Sequence, residues 1–369
     1  MFKVAAMRQM RQMRKRYSPL LGAIALTSLT PLILASCSMS SPSDLRSQAD
    51  QLIKNNNLPE AEKVLKKAQA DQEQSKGSND VQLAPTLTAL GDLYSRQGKY
   101  AEAASLYDRA TDIQQKAMAP QLVALTASLN GKGLALMGQG KYQAAEQVLQ
   151  QALAIREDNL PAGSLAIAES ENSLAQLYFQ TAHYPQAEAL YKGSSAIYEK
   201  VKGAESAEAA NVRNNLASLY YAQGKYQQAE PIFKWSVSVF ERTSGKDSID
   251  VANACNNLAE LLRAQKRYAE AEPLYLRSLA VYEKALGKDS VSVATACNNL
   301  AILYRAQGRF ADAEPLYKRA IAIYDGSTGV SNQQFANVLD NYAELLQATS
   351  RTEEARALRS RASAKIAQS

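Results

Sequence analysis

The chain has 369 residues, with 42 Lys and Arg against 36 Asp and Glu and a single histidine. One histidine cannot build the usual metal cluster. The net charge of +6 would point to a nucleic-acid partner if it were spread over a face. It is not spread, and the first segment shows why.

Residues 1 to 16 contain Lys3, Arg8, Arg11, Arg14, Lys15 and Arg16 and no acid, and an apolar run from Leu20 to Leu34 follows. A charged start, a short apolar run and small residues predict a secretory signal. The run is shorter than the roughly 20 residues that span a bilayer, and it contains Pro31, which disfavours a plain membrane anchor. It ends in Leu34, Ala35, Ser36 and Cys37, which resembles the lipobox of bacterial lipoproteins. That resemblance implies a diacylglyceryl group on the Cys37 thiol, cleavage before it, and attachment to a membrane through the lipid. Ser38 beside it resembles the sorting context that sends lipoproteins to the outer membrane, so the expected location is the cell envelope, facing the periplasm. The expected organisation is a signal peptide over 1–36, a polar tether over 37–44 and a repeat domain over 45–369. Subtracting the six leader cations from 42 leaves 36 against 36, so the remainder is formally neutral and no nucleic-acid partner is expected.

From residue 45 onward the chain repeats itself. At steps of 42 one column reads Ala61, Ala103, Ala145, Ala187, Ala229, Ala271, Ala313 and Ala355, and twelve residues earlier another reads Ala49, Gly91, Gly133, Ala175, Ala217, Ala259, Ala301 and Ala343. Three before the alanines stand Leu58, Tyr100, Tyr142, Tyr184, Tyr226, Tyr268, Phe310 and Thr352, so eight copies fit without insertion or deletion. Small residues at fixed helical positions mark places where two helices cross closely, because a larger side chain would force the backbones apart. Gly98, Gly140, Gly224 and Gly308 fall between the two helical stretches, where a left-handed turn suits glycine, and Asn55 to Asn57 replace them in the first copy. Each unit therefore reads as helix, tight turn, helix, and stacking completes the core that one unit cannot close alone.

Leu90, Gly91 and Tyr94, followed by Ala103 and Tyr107, match the pattern of the tetratricopeptide repeat. The 42-residue period, with NNLA, QGKY, AEPLY and GKDS segments, resembles the repeats of kinesin light chains and their bacterial relatives. The resemblance implies an all-α, right-handed α-solenoid of about eight helix-turn-helix units, whose first helices line a concave groove. In the last unit, Thr352 stands in the aromatic column and Arg359 where Tyr317 would recur, which reads as a solvated cap.

Leu300, Ala301, Tyr304 and Cys297 share one side of a first helix at 100° per residue and form its core side. The opposite side is rich in asparagine. Across three consecutive units it presents Asn211, Asn214, Asn215, Asn253, Asn256, Asn257, Asn298 and Asn299, joined by Arg263 and Arg305. An amide both donates and accepts, so such a ladder suits the backbone of an extended peptide, and the arginines suit a carboxylate. The same amides could instead cap, bridge neighbouring helices or face water. Earlier units break the pattern at Gly131, Glu171 and Ser173, which confines the expected groove ligand to residues 211–305.

Other conspicuous residues read as structure. Cys255 and Cys297 are expected to be buried free thiols, because stacked equivalents lie roughly 8–10 Å apart, beyond the ~6.8 Å limit of a disulfide. Trp235 is expected on an outer helix, partly packed on a neighbour. His183 reads as a solvated turn residue. Pro231, Pro273 and Pro315 are expected in the first turns of second helices. Asp247 or Ser248, and Asp289 or Ser290, are expected to cap the helices after Gly245 and Gly287. Gly131-Lys132-Gly133 lies inside a helix and is no phosphate loop. No nucleophile elbow, phosphate loop or metal cluster is present in the pattern, so a non-enzymatic scaffold for a protein or peptide partner is expected, with no cofactor and no small-molecule substrate. An alternative is an envelope assembly that uses the convex face or the ends.

Overall fold

The computed structural model describes residues 41–117, 122–327 and 332–367. The expected signal peptide, the Cys37 lipid site and most of the tether lie outside these residues. Sixteen α-helices follow in eight hairpins: α1 (Pro42–Lys54) with α2 (Leu58–Lys76), α3 (Ala84–Arg96) with α4 (Tyr100–Lys116), α5 (Leu122–Gly138) with α6 (Tyr142–Asn159), and α7 (Leu165–Gln180) with α8 (Tyr184–Lys202). The remaining hairpins are α9 (Ala207–Ala222) with α10 (Tyr226–Thr243), α11 (Ile249–Ala264) with α12 (Tyr268–Leu286), α13 (Val291–Ala306) with α14 (Phe310–Gly326), and α15 (Asn332–Ala348) with α16 (Thr352–Ala367). Among the described residues there is no strand, and no helix is long and apolar enough to cross a membrane.

Each helix packs on the next in sequence, and the first helices of successive units also approach one another. The second helices of successive units do not. The stack is therefore tighter on the first-helix side, which makes that side the inner, concave wall and the second-helix side the outer one. The two small-residue columns are buried throughout, the alanines from Ala61 to Ala355 being almost wholly hidden. Their size matters: a Cβ on Gly91 would lie 2.8 Å from the Tyr107 ring, and one on Gly133 would lie 2.5 Å from the Leu149 side chain.

Turns and caps follow the local chemistry. Gly98, Gly140, Gly224 and Gly308 adopt φ between 72° and 75°, and the same left-handed position is held by Asn56, Ala182, Lys266 and Ser350 in the other units. Ser206, Ser248 and Ser290 cap α9, α11 and α13 by accepting from the third backbone N–H beyond them. The first helix starts at Pro42, inside the stretch expected to be tether, because Ser41 and Asp44 close a capping box there. Pro231, Pro273 and Pro315 correct a further expectation. They sit inside α10, α12 and α14 and not in the first turn, because those helices begin at the aromatic column five residues earlier.

Neighbouring units are also tied by a repeated charge clamp. In units one, three, four, six and seven the glutamate after the column alanine accepts a tyrosine hydroxyl of the next first helix, as in Tyr94 to Glu62 at 3.0 Å, Tyr220 to Glu188 at 3.0 Å and Tyr304 to Glu272 at 3.1 Å. Later units add an arginine from the next turn: Arg267 on Glu230 at 2.8 Å, Arg309 on Glu272 at 2.9 Å and Arg351 on Glu314 at 2.8 Å. The apolar core runs without a break from Ala175 to Ala355. Towards the N-terminus it divides into smaller clusters, with Gln72, Gln114 and the almost fully buried Arg156 in the column that Tyr198, Phe240, Tyr282 and Tyr324 fill later. Arg156 is satisfied by the Thr126 hydroxyl at 2.9 Å, the Ser170 hydroxyl at 3.0 Å and the Ala166 carbonyl.

Lys266 occupies the left-handed turn with φ 61°. That conformation costs a side-chain-bearing residue roughly 1–2 kcal/mol. Replacing it, Lys266→Gly, is expected to raise the thermal midpoint by a few degrees, and circular dichroism melting reads the change directly.

Candidate functional site

The concave wall over units five to eight is built by α9, α11, α13 and α15. The asparagines stand there in two adjacent columns, and the structure brings them into inter-helix rungs. Asn215 Nδ2 donates to Asn172 Oδ1 at 3.1 Å, Asn299 Nδ2 to Asn256 Oδ1 at 3.0 Å, and Asn341 Nδ2 to Asn298 Oδ1 at 3.1 Å. Asn298 Nδ2 also donates to Asn299 Oδ1 at 3.3 Å. Each inter-helix rung reaches from the second amide of one unit to the first amide of the unit before. Three amide pairs are thus used in fastening helix to helix.

One rung is missing. Asn214 Oδ1 is buried and has no partner among the described residues, although Asn257 stands where the pattern would place its donor. Asn256, Asn257, Asn298 and Asn299 are half-buried, Asn214 is nearly buried, and Asn211 and Asn253 are exposed. Asn253 accepts from the Tyr282 hydroxyl. Asn211 faces no such group, because Phe240 stands in the tyrosine's place.

The two arginines are already paired. Arg263 holds Glu260 on its own helix, and Arg305 holds Glu344 on α15. Glu260 also accepts the Tyr275 hydroxyl at 2.8 Å and the Tyr221 hydroxyl at 3.0 Å. Burial pushes the Glu260 carboxyl upward, but the Arg263 guanidinium outweighs it and leaves the carboxyl below its usual range. Glu260, Glu344, Tyr221 and Tyr275 were not among the expected site residues. Their signal lay in two columns read together, since Asp92 accepts from Tyr107 at 2.6 Å across the same fifteen-residue separation that joins Glu260 and Tyr275.

On the outer wall an arginine column clamps units two, six, seven and eight to the unit before: Arg109 on Glu73 and Arg277 on Glu241, both at 2.6 Å, with Arg319 on Glu283 and Arg361 on Asp325. Trp235 takes this place in unit five. Arg213 moves in from α9, pairs with Glu199 at 2.6 Å and stacks at 4.5 Å on the Trp235 ring. The exchange leaves a mainly apolar furrow of about 450 Å³ lined by Ala196, Leu216, Pro231, Ile232 and Trp235, with Lys192, Ser195, Glu199 and Arg213 also on its walls. In unit four the column holds Gly193, and a Cβ there would press within 3.0 Å of the Glu171 carboxylate.

The singletons lie as follows. Cys255 and Cys297 are free, fully buried thiols, which burial pushes up to about 11. His183 is exposed, with Nδ1 2.9 Å from the Thr181 hydroxyl. Lys132 and its flanking glycines lie within α5, where a Cβ on Gly131 would meet the Tyr107 ring at 2.5 Å.

The tetratricopeptide repeat family model matches residues 45–116, 124–200, 166–242 and 250–326, and a second model of the same repeat matches 88–159 and 214–281. The chain belongs to the tetratricopeptide repeat family. No curated protein matches it. Among solved structures it is similar to the Rap conjugation gene regulator of plasmid pLS20 in complex with the Phr* peptide, with 14% identity, 89% of this chain and 96% of that one covered, and a TM-score of 0.62. It is similar also to a Rap protein complexed with Competence and Sporulation Factor, at 13% identity over 89% of this chain and 98% of that one, with a TM-score of 0.59. A Podosopora anserina kinesin light chain with nearly identical TPR-like repeats is 24% identical over 54% of this chain and 94% of its own, with a TM-score of 0.45.

Glu171 supplies a pH dependence. Burial, and secondarily Glu157, push its carboxyl from 4.5 up to about 7. Between those values the folded chain holds a proton that the unfolded chain releases, so stability falls as pH rises through the window. Glu171→Gln is expected to remove that part of the decline, seen as a smaller loss of melting midpoint between pH 5 and pH 8 than in the unsubstituted protein. Equal losses in the two proteins would contradict it.

Proposed function

We propose that this protein is a non-catalytic scaffold that holds an extended segment of a protein partner against its concave wall, over residues 211–305. The open rung carries the reading: Asn214 Oδ1 stands buried without a partner on α9, where the repeat pattern would place Asn257 as its donor, and a buried acceptor gains most when a partner supplies the missing donor. Asn211 and the free sides of Asn215, Asn253, Asn256, Asn257, Asn298 and Asn299 extend the same surface. Solved proteins of this fold include a Rap protein complexed with Competence and Sporulation Factor and a Rap regulator complexed with the Phr* peptide, which supports a peptide-sized ligand.

Further, we infer an envelope setting. The Leu34-Ala35-Ser36-Cys37 stretch supports lipid attachment at Cys37, with the repeat domain held in the periplasm at the outer membrane. A second reading, assembly through the convex face, is favoured by the furrow beside Trp235.

Photo-crosslinking in the source membranes tests the groove. Crosslinked partner peptides are expected to map to α9, α11 and α13, and the combined Asn214→Ala, Asn256→Ala and Asn298→Ala variant is expected to reduce capture about tenfold or more while keeping its helicity. Undiminished capture by the triple variant would move the partner to the convex face. For the anchor, Cys37→Ala is expected to abolish metabolic labelling by radiolabelled palmitate and to release the protein from sedimented membranes.

A further inference from the structure

From unit two onward the arginine column of the outer wall and the acid thirty-six residues before it change together: Arg109 with Glu73, Gln151 with Gln115, Arg277 with Glu241, Arg319 with Glu283 and Arg361 with Asp325. Where glutamine replaces the arginine in unit three, glutamine replaces the acid too. In unit five Trp235 takes the column position, but Arg213 reaches Glu199 from α9 at 2.6 Å. Unit four alone keeps the acid without a cation. Gly193 holds the column position while Glu157 remains, and a second acid, Glu171, stands on the first helix where units two and six have Leu87 and Cys255.

The filled clamps show what this one can hold. In units two, six and seven the guanidinium spans the acid and a loop carbonyl thirty-one residues before it, that of Ser78 at 2.9 Å, of Lys246 at 3.3 Å and of Lys288 at 3.0 Å. In units six and seven it also acts on the Cys255 and Cys297 thiols, whose column position Glu171 takes. These three arginine side chains are 32–34% exposed, so the position is open from outside the stack. In unit four the same register surrounds it with the Glu157 carboxylate, the Ala162 carbonyl and the Glu171 carboxylate, over a glycine floor. Glu157 is exposed and Glu171 half-buried, and Glu171 Oε2 has no hydrogen-bond partner among the described residues. Burial and Glu157 act on the Glu171 carboxyl, and no basic group among the described residues offsets them. Two acids and a carbonyl are thus left as the counterpart of one guanidinium.

The slot adjoins the furrow beside Trp235. Ala196, on the furrow wall, lies three residues along α8 from Gly193, and residues so spaced are neighbours on a helix surface. We propose that the outer wall of units four and five docks a segment of a protein partner, which places an arginine between Glu157 and Glu171 and an apolar side chain in the furrow. The furrow supplies apolar area and the slot supplies the charge complement. The partner's arginine makes in trans the clamp that other units make for themselves. From slot to furrow is one helix width, ~10 Å, which an extended segment crosses in about three residues. This docking rests on the convex-face reading and is independent of the asparagine groove.

The test uses the full chain with two pools of acetylated, amidated nonapeptides. The central residue is arginine in one and its neutral isostere citrulline in the other, leucine stands three places to either side, and the remaining positions are randomised among uncharged residues. Retention on the immobilised protein is read by mass spectrometry. The arginine pool is expected to be retained about fivefold or more over the citrulline pool, the scale of one charge-assisted hydrogen bond. Glu157→Gln is expected to remove most of that preference, and Ala196→Gln to weaken retention of both pools. Glu171→Leu combined with Gly193→Arg, which reproduces Leu87 and Arg109 of unit two, is expected to abolish the preference while raising the melting midpoint, a result that a folding defect would not give. Equal retention of the two pools that Ala196→Gln weakens overturns the slot and leaves the convex-face reading standing. A preference that survives Glu157→Gln and the combined variant overturns the slot, as does one that disappears with Asn214→Ala, Asn256→Ala and Asn298→Ala. Retention that Ala196→Gln leaves unchanged, or no retention of either pool, removes the slot and the convex-face reading together.

Discussion

Close approach of helix backbones at the small-residue columns is the constraint from which the rest of the molecule follows. Gly91 and Gly133 are pressed by a ring or a leucine that would collide with any Cβ, and the column alanines are hidden almost completely. Because the same notch recurs every 42 residues, each hairpin docks on the last in one geometry. The first helices meet their successors and the second helices do not. Curvature is the direct result, and with it comes an inner wall whose exposed positions repeat in register.

Charge then fastens what packing has placed. In most units the glutamate after the column alanine collects a tyrosine hydroxyl and, later in the chain, an arginine from the next unit, while the outer arginines bind the acid of the unit before. These pairs are partly exposed and individually weak, but they recur at most junctions and help to set the register. Departures begin with Gln151 in the arginine column of unit three and continue through units four and five. There Gly193 and Trp235 replace the arginine, Glu171 brings an acid against the core, and Arg213 is recruited to balance Glu199. The apolar furrow and the titrating carboxyl both result from that local exchange.

The inner wall divides its polar groups between holding the solenoid together and leaving something for a ligand. Most amide pairs close rungs between neighbouring helices. The rung at Asn214 stays open, and so does the phenol of Tyr317. Both are buried groups whose unmet hydrogen bonds are costly in isolation, Asn214 on the first helix α9 and Tyr317 on the second helix α14. Recognition in such an array is set by the places where repetition lapses.

Much of the fold was legible in residues alone. The Ala61-to-Ala355 column, the aromatic column at the head of each second helix and the turn glycines are short-range, periodic signals, and periodicity survives translation into three dimensions. The prolines were misplaced by a turn because the aromatic column already starts the helix at Tyr226, Tyr268 and Phe310. For the concave wall, the sequence determined which side chains repeat on one helix face, since that depends only on 100° per residue. It could not determine which amide meets which, because a rung joins residues 43 apart through the stacking of separate units. Tertiary structure alone decided that Arg263 and Arg305 are already paired, that Asn214 is not, and that Tyr317 points its hydroxyl at no acceptor, since each of these is settled by the distance between helices and not by order along the chain.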